Sequence, residues 1–321
     1  MRRVFVVAAL AALAFVEMLA PVHGQGGKMR PPLPGGVVTG ASSNYGNYLI
    51  GYDWELGNFV QDFGQNPMIV GCGNIDCTEP MHFAEYQMYD QSQAGVAASG
   101  ALNPAYVSEL QTREDLYAQY IYFIRICNEW QGDRACGPFV NGDENQGEAI
   151  DPATWIAGVR NFVNVIRADP LLKNVKIAFD APYTDEQARY YPGDDYVDIL
   201  TYDMYPGKGQ GATSQDAWSW EINGPLGYMN NFATLHGKAM AFPEWCEKFP
   251  DGYITTQMAN WVNSHNVVAL VFWNQSSGTN GAPGEVNCNI DATSAKLNAF
   301  QAAWYRYKYR GSFWPVIIPW Q

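Results

Sequence analysis

Short apolar, β-prone runs recur along the chain and are separated by stretches in which apolar residues return every third or fourth position. The runs predict strands at 48–52, 68–71, 120–126, 175–179, 197–200, 239–242 and 267–272. Between them, helical spacing is clearest over 151–167, where Trp155, Val159, Phe162, Val163 and Ile166 fall on one face. Asp151-Pro152 opens that segment as an N-cap followed by proline at the first helical position. Shorter helices are predicted over 56–63, 228–235 and 254–263, with a last one over 292–307. The strand runs do not alternate apolar with polar residues, as expected of strands covered on both faces, so the pattern predicts a parallel sheet wrapped by helices. An eighth strand is expected between residues 78 and 110, where Gly, Ala, Ser and Gln obscure any period. The predicted fold class is therefore α/β, a single (β/α)8 TIM-barrel domain over 45–321, with an open doubly wound sheet as the alternative.

The amino terminus has a different character. Arg2 and Arg3 precede an apolar run over 4–16, and small residues follow near Gly24, which is the anatomy of a secretory signal peptide over 1–24. Residues 25–44 are rich in Gly, Pro and Ser and read as a flexible lead-in. Six cysteines in an exported chain predict disulfides, and local order favours Cys72–Cys77, Cys127–Cys136 and Cys246–Cys288 among the alternatives. With 32 acidic against 19 basic residues the chain carries a formal charge of −13, which argues against nucleic acid and anionic membranes as partners. The four histidines are scattered and no CxxC pair occurs, so neither a metal nor another cofactor is expected. The expected product is a secreted monomer, extracellular or periplasmic. Aromatic residues reach 14% of the chain, a composition compatible with sugar-stacking platforms, although aromatic burial is also a routine core device.

In such a barrel, catalytic groups project from the C-terminal ends of strands. Two predicted strands end in a carboxylate: 120–126 runs into Cys127-Asn128-Glu129-Trp130, and 239–242 runs into Pro243-Glu244-Trp245. Hydrolysis of a glycosidic bond with retention needs such a pair. One carboxyl donates a proton to the leaving oxygen while the other attacks the anomeric carbon. Glu129 is expected as acid/base and Glu244 as nucleophile. Trp130 and Trp245 are expected as apolar walls beside them. Arg125, four residues before Glu129, is expected to face the same side and hold Glu244 ionised.

These stretches resemble glycoside hydrolase family 26 and, more broadly, clan A of retaining glycosidases. The run from Arg125 to Asp133 is similar to the acid/base strand of that family, Tyr190-Tyr191-Pro192-Gly193-Asp194-Asp195-Tyr196-Val197-Asp198-Ile199 to its sixth-strand signature, and Phe242-Pro243-Glu244-Trp245 to its nucleophile strand. The likeness spans about residues 51–274. It implies that Asn128 contacts the sugar 2-hydroxyl, that Trp273 is the platform under the sugar at the cleavage point, and that Tyr205 hydrogen-bonds Glu244. It also implies a polysaccharide substrate, with β-1,4-mannan first. One departure bears on that substrate: the family places His before the acid/base glutamate, and Asn128 stands there. A β-glucanase, a xylanase, an exopolysaccharide hydrolase and a non-catalytic carbohydrate-binding barrel therefore remain as alternatives. Trp54 reads equally as platform or core, and Asp198 and Asp203 as helix-capping or loop-fixing residues.

Overall fold

The computed structural model describes residues 49–53, 69–72, 82–112, 121–131, 136–173, 175–273 and 284–308. Eight parallel strands close into a barrel in sequence order: β1 (Leu49–Asp53), β2 (Ile69–Cys72), β3 (His82–Tyr86), β4 (Ile121–Ile126), β5 (Lys176–Asp180), β6 (Ile199–Thr201), β7 (Ala239–Trp245) and β8 (Val267–Trp273). β1 pairs with β8 over five residues and shuts the ring. The fold is the predicted (β/α)8 barrel, and β3 is the strand expected within the obscured stretch. The described α-helices are α1 (Ala94–Ala98), α2 (Asn103–Leu110), α3 (Pro152–Ala168), α4 (Asp185–Ala188), α5 (Ser214–Asn223), α6 (Pro225–His236), α7 (Tyr253–Val262) and α8 (Ser294–Lys308). The predicted signal, lead-in and 56–63 helix, together with Trp54, Cys77 and Asn274, lie outside the described residues.

Strand alternation sorts side chains into two cores. Phe83, Phe123, Ala178, Ile199, Ala239, Ala241, Ala269 and Val271 belong to the smaller cluster inside the barrel. Their neighbours in sequence, such as Ala84, Ile124, Ile177, Leu200 and Leu270, join the larger cluster between sheet and helices. Within the barrel, Phe83 and Phe123 stack at 4.9 Å. One step further along the same faces stand Glu85, Arg125, Asp180 and Thr201, so an apolar floor carries a polar layer above it.

α3 illustrates how the outer layer is fixed. Asp151 accepts a hydrogen bond from Thr154 N at 3.0 Å and Pro152 starts the helix. Trp155, Val159, Phe162, Val163 and Ile166 are all fully buried. α6 ends where Gly237 adopts φ 62°, a left-handed turn that returns the chain to β7. Among the described residues no helix is long and apolar enough to cross a membrane.

Outside the barrel, Glu221 of α5 is 1% exposed and accepts from Tyr202 Oη at 2.9 Å. Burial pushes its carboxyl up to about 7, against the opposing effect of the Tyr202 hydrogen bond. A carboxyl raised above its unfolded value contributes stability that is complete below the unfolded pKa and is lost as pH rises through the folded one. Glu221→Gln is therefore expected to flatten the fall in stability between about pH 5 and 8, with a gain of up to about 3 kcal/mol at the alkaline end. Denaturant unfolding across that range checks it, and a slope identical to that of the parent counts against the assignment.

Candidate active site

One cation organises the polar layer. Arg125, with no solvent exposure, bonds Asp180 through Nε (2.9 Å, to Oδ1) and Nη2 (3.0 Å, to Oδ2). Nη2 also donates to Asp203 Oδ2 at 2.5 Å and Nη1 to Glu85 Oε1 at 2.8 Å, while Nη1 lies 3.8 Å from Glu244 Oε1. The chain thus collects carboxylates from the ends of β3, β5, β6 and β7 around a guanidinium from β4. Burial by itself would lower the guanidinium pKa, but Asp180, Asp203 and Glu85 together hold it well above its ordinary value. Burial likewise pushes Asp203 well above the carboxylate range against the pull of Arg125, and Glu244 and Asp180 add to the rise.

Glu129 reaches this cluster by a turn, not by strand alternation. β4 ends at Ile126, and both Cys127 (φ 49°) and Glu129 (φ 51°) lie in the left-handed region. Non-glycine residues there carry about 1–3 kcal/mol of strain each. Cys127 donates its N–H to Tyr86 O at 2.8 Å and is bonded to Cys136, and the Glu129 N–H donates to Asp180 Oδ2. The predicted common face of Arg125 and Glu129 is therefore replaced by a turn that Asp180 fixes to the ion-pair network.

Glu244 is aimed by a different device. On β7, Phe242 pairs with Leu270 and Trp245 with Phe272, so three steps on β7 oppose two on β8. On the other edge, Thr201 pairs with Ala241 while Met204 N donates to Glu244 O at 3.0 Å. The extra residue is a bulge, and it exchanges the two faces of the strand. Simple alternation from Ala239 and Ala241 would point Trp245 inward. With the bulge, Trp245 turns out to meet Phe272 and Trp304, and Glu244 joins the inward set. Tyr205 donates its hydroxyl to Glu244 Oε2, and its own pKa is driven far up by burial and then by Glu244.

One oxygen from each of Glu129, Asp203 and Glu244 lies within 4.8 Å of the others. Such a group is close enough to hold a cation, but Arg125, bonded to Asp203 and close to Glu244, already supplies positive charge there. Asn128 Nδ2 donates to Glu85 Oε2 at 3.3 Å beside Glu129. Trp273, half-buried at the end of β8, meets Tyr205 edge-on at 6.2 Å.

Three expectations need correction. Trp130 and Trp245 have no exposed surface and are core residues, not sugar-facing walls. Trp130 packs among Phe139, Trp155, Phe179 and Tyr190 and donates to Asp180 O at 2.9 Å. Arg125 is likewise sealed off, so it cannot touch substrate and acts on the carboxylates around it. Asp203, read as a loop-fixing residue, belongs to the network, whereas Asp198 does fix a loop by accepting from Ile177 N at 2.9 Å. Asp180 and Glu85 escaped the sequence reading. Asp180 carries the same signal as the two glutamates, a carboxylate closing an apolar strand, while Glu85 sits in the stretch where no strand was legible.

This barrel superposes on solved glycoside hydrolases. A family 26 β-mannanase from Bacteroides ovatus aligns at TM-score 0.56 with 14% identity, covering 81% of this chain and 89% of that one. A modular family 26 endo-β-1,4-mannanase from Cellulomonas fimi aligns at 0.55 with 16% identity, over 80% and 70%. The fold is that of glycoside hydrolase family 26. A third such structure, the catalytic domain of a Bacillus sp. JAMB-750 endo-β-1,4-mannanase of this family, aligns at 0.53 with 16% identity, over 80% of this chain and 85% of that one. No protein-family model and no curated protein sequence matches the chain. The family 26 fold thus comes with sequence divergence deep enough that its chemistry has to be argued from the side chains themselves.

Because Arg125 neutralises several buried carboxylates at once, Arg125→Met is expected to cost about 3–5 kcal/mol by leaving them unpaired. Adding Asp180→Asn should recover part of that loss. Guanidinium unfolding of the two single variants and the double variant measures the coupling, and strictly additive losses would show that the pair does not interact.

Proposed function

We propose that this chain is a secreted retaining endo-β-glycosidase that cleaves a polysaccharide by double displacement. The observation that carries the reading is the approach of Glu129 and Glu244 to within 4.8 Å, oxygen to oxygen, across the open end of the barrel. Carboxyl groups about 5–5.5 Å apart suit direct attack and a covalent glycosyl-enzyme, whereas about 6.5–9.5 Å leaves room for an inverting water. Glu244, positioned by Tyr205 and facing Arg125, attacks the anomeric carbon. Glu129 delivers a proton to the leaving oxygen, then takes one from the water that releases the sugar. Trp273 provides the apolar face for the sugar ring and Asn128 a donor for its 2-hydroxyl. Arg125 keeps negative charge on the nucleophile side without touching substrate.

β-1,4-Mannan is the first substrate, since the solved proteins sharing this fold include enzymes described as β-mannanases. Asn128 in place of the histidine expected there favours a second reading, another clan A specificity such as a β-glucan, a xylan or an exopolysaccharide. A non-catalytic binding barrel is disfavoured, because a binder gains nothing from two facing half-buried carboxyls. The apolar amino terminus and the disulfides Cys127–Cys136 and Cys246–Cys288 support export.

Glu129→Ala is expected to slow hydrolysis of natural polysaccharide by about 10²–10⁴-fold while sparing aryl glycosides with good leaving groups. Glu244→Ala should abolish turnover of both, so equal losses by the two variants on both substrate types speak against the separate roles. Proton NMR of the first product released from mannan, glucan and xylan should show the retained β-anomer. An α-anomer appearing first, or activity that disappears with a chelator, overturns the mechanism.

A further inference from the structure

The segment after β7 is held from several sides. Cys246 donates its N–H to Met204 O at 3.0 Å and is bonded to Cys288. Glu247, with no exposed surface, accepts from Ile254 N (3.1 Å), Thr255 N (3.0 Å) and Thr255 Oγ1 (2.7 Å), which satisfies free donors at the start of α7. Lys248 donates its N–H to Pro206 O at 3.1 Å, and its carbonyl accepts from Val286 N at 2.9 Å. None of these bonds uses the Lys248 side chain.

That side chain runs over the loop after β6. A Cβ added at Gly207 would stand 3.2 Å from Lys248 Cδ, so the absence of a side chain there leaves the path open. The ammonium then lies 5.8 Å from the centroid of the Tyr205 ring, the same ring that holds Glu244 and meets Trp273 edge-on. Lys248 is half-buried and forms no ion pair with any described carboxylate, although acidic residues outnumber basic ones 32 to 19 in this chain. The backbone bonds on Cys246 and Lys248 fix where this side chain starts, and its ammonium brings three N–H donors to the rim of the site beside Tyr205.

Position decides which part of a substrate it meets. The leaving oxygen has to face Glu129, so the sugar on the side of Glu244, Tyr205 and Trp273 is the one that becomes attached to the enzyme. We propose that Lys248 is a specificity-determining residue that donates hydrogen bonds to hydroxyls of the sugar chain on this glycone side. The assignment rests on the glycosidase reading above and adds a binding contact to it.

Calorimetric titration of the Glu244→Ala protein with mannohexaose, cellohexaose and xylohexaose provides the reference. Adding Lys248→Met should weaken binding of the hexaose that binds by about tenfold, the loss of one hydrogen bond to a charged donor, and Lys248→Arg should recover most of it. In the otherwise intact enzyme the Lys248→Met defect should fall on KM rather than on kcat. An unchanged Kd, or a loss confined to kcat, overturns the glycone contact while leaving the glycosidase reading in place. A drop in thermal midpoint shared by the Met and Arg variants assigns Lys248 a structural role and also overturns it. Failure of the parent to bind any of the three hexaoses, together with failure of the wild-type protein to hydrolyse the matching polysaccharides, removes both readings.

Discussion

A guanidinium sealed inside a barrel has to be paired on every side, and the fork of Arg125 meets that demand by drawing carboxylates from successive strand ends. Asp180 takes two of its nitrogens, Asp203 shares one of these, and Glu85 takes the third. Two of those acids then hold something else. Asp180 accepts from Thr201 Oγ1 and from the Glu129 backbone, and Glu85 accepts from Asn128. The positions of Asn128 and Glu129 are thus consequences of how one buried cation is neutralised. The barrel floor supports this arrangement, because Phe83 and Phe123 stack directly below Glu85 and Arg125 on the same strand faces.

The opposite wall is organised by backbone geometry. A single extra residue in β7 turns Glu244 inward and sends Trp245 into the outer core, where large apolar area fixes the turn more firmly than a loop contact could. Disulfides stand two residues from each candidate catalytic glutamate, at Cys127 and at Cys246. Closing loops of 9 and 42 residues, they restrain the segments that carry the carboxyls and favour a site formed before substrate arrives. Glu247 and Lys248 extend the same restraint to the rim.

Shared architecture at 14–16% identity says how the chain is folded and leaves open which sugar it would recognise. The proposed chemistry rests on two carboxyls near each other with different surroundings. Glu129 hangs on a strained turn tied to Asp180, while Glu244 is gripped by a phenol and faces a fixed positive charge. In the proposed reading specificity is set further out, at Asn128, where this chain departs from the pattern it resembles, and at Trp273 and Lys248.

The alternation of strands and helices, the barrel class and the two glutamates at strand ends were legible in the order of residues, because strands buried on both faces leave apolar runs, helices leave a periodic stripe, and N-caps are local. That order also determined which cysteines were near enough to pair at 127–136 and 246–288. What each side chain faces depends on contacts between distant segments and emerges only in the folded barrel. Trp130 and Trp245 sit beside the glutamates in sequence yet belong to the core, since a left-handed turn in one case and a bulge in the other send neighbouring residues to opposite sides. Glu85 and Asp180 became part of the site only once β3, β4 and β5 lay side by side, because ion pairing is a relation between strands 40 to 55 residues apart and leaves no periodic trace in the chain.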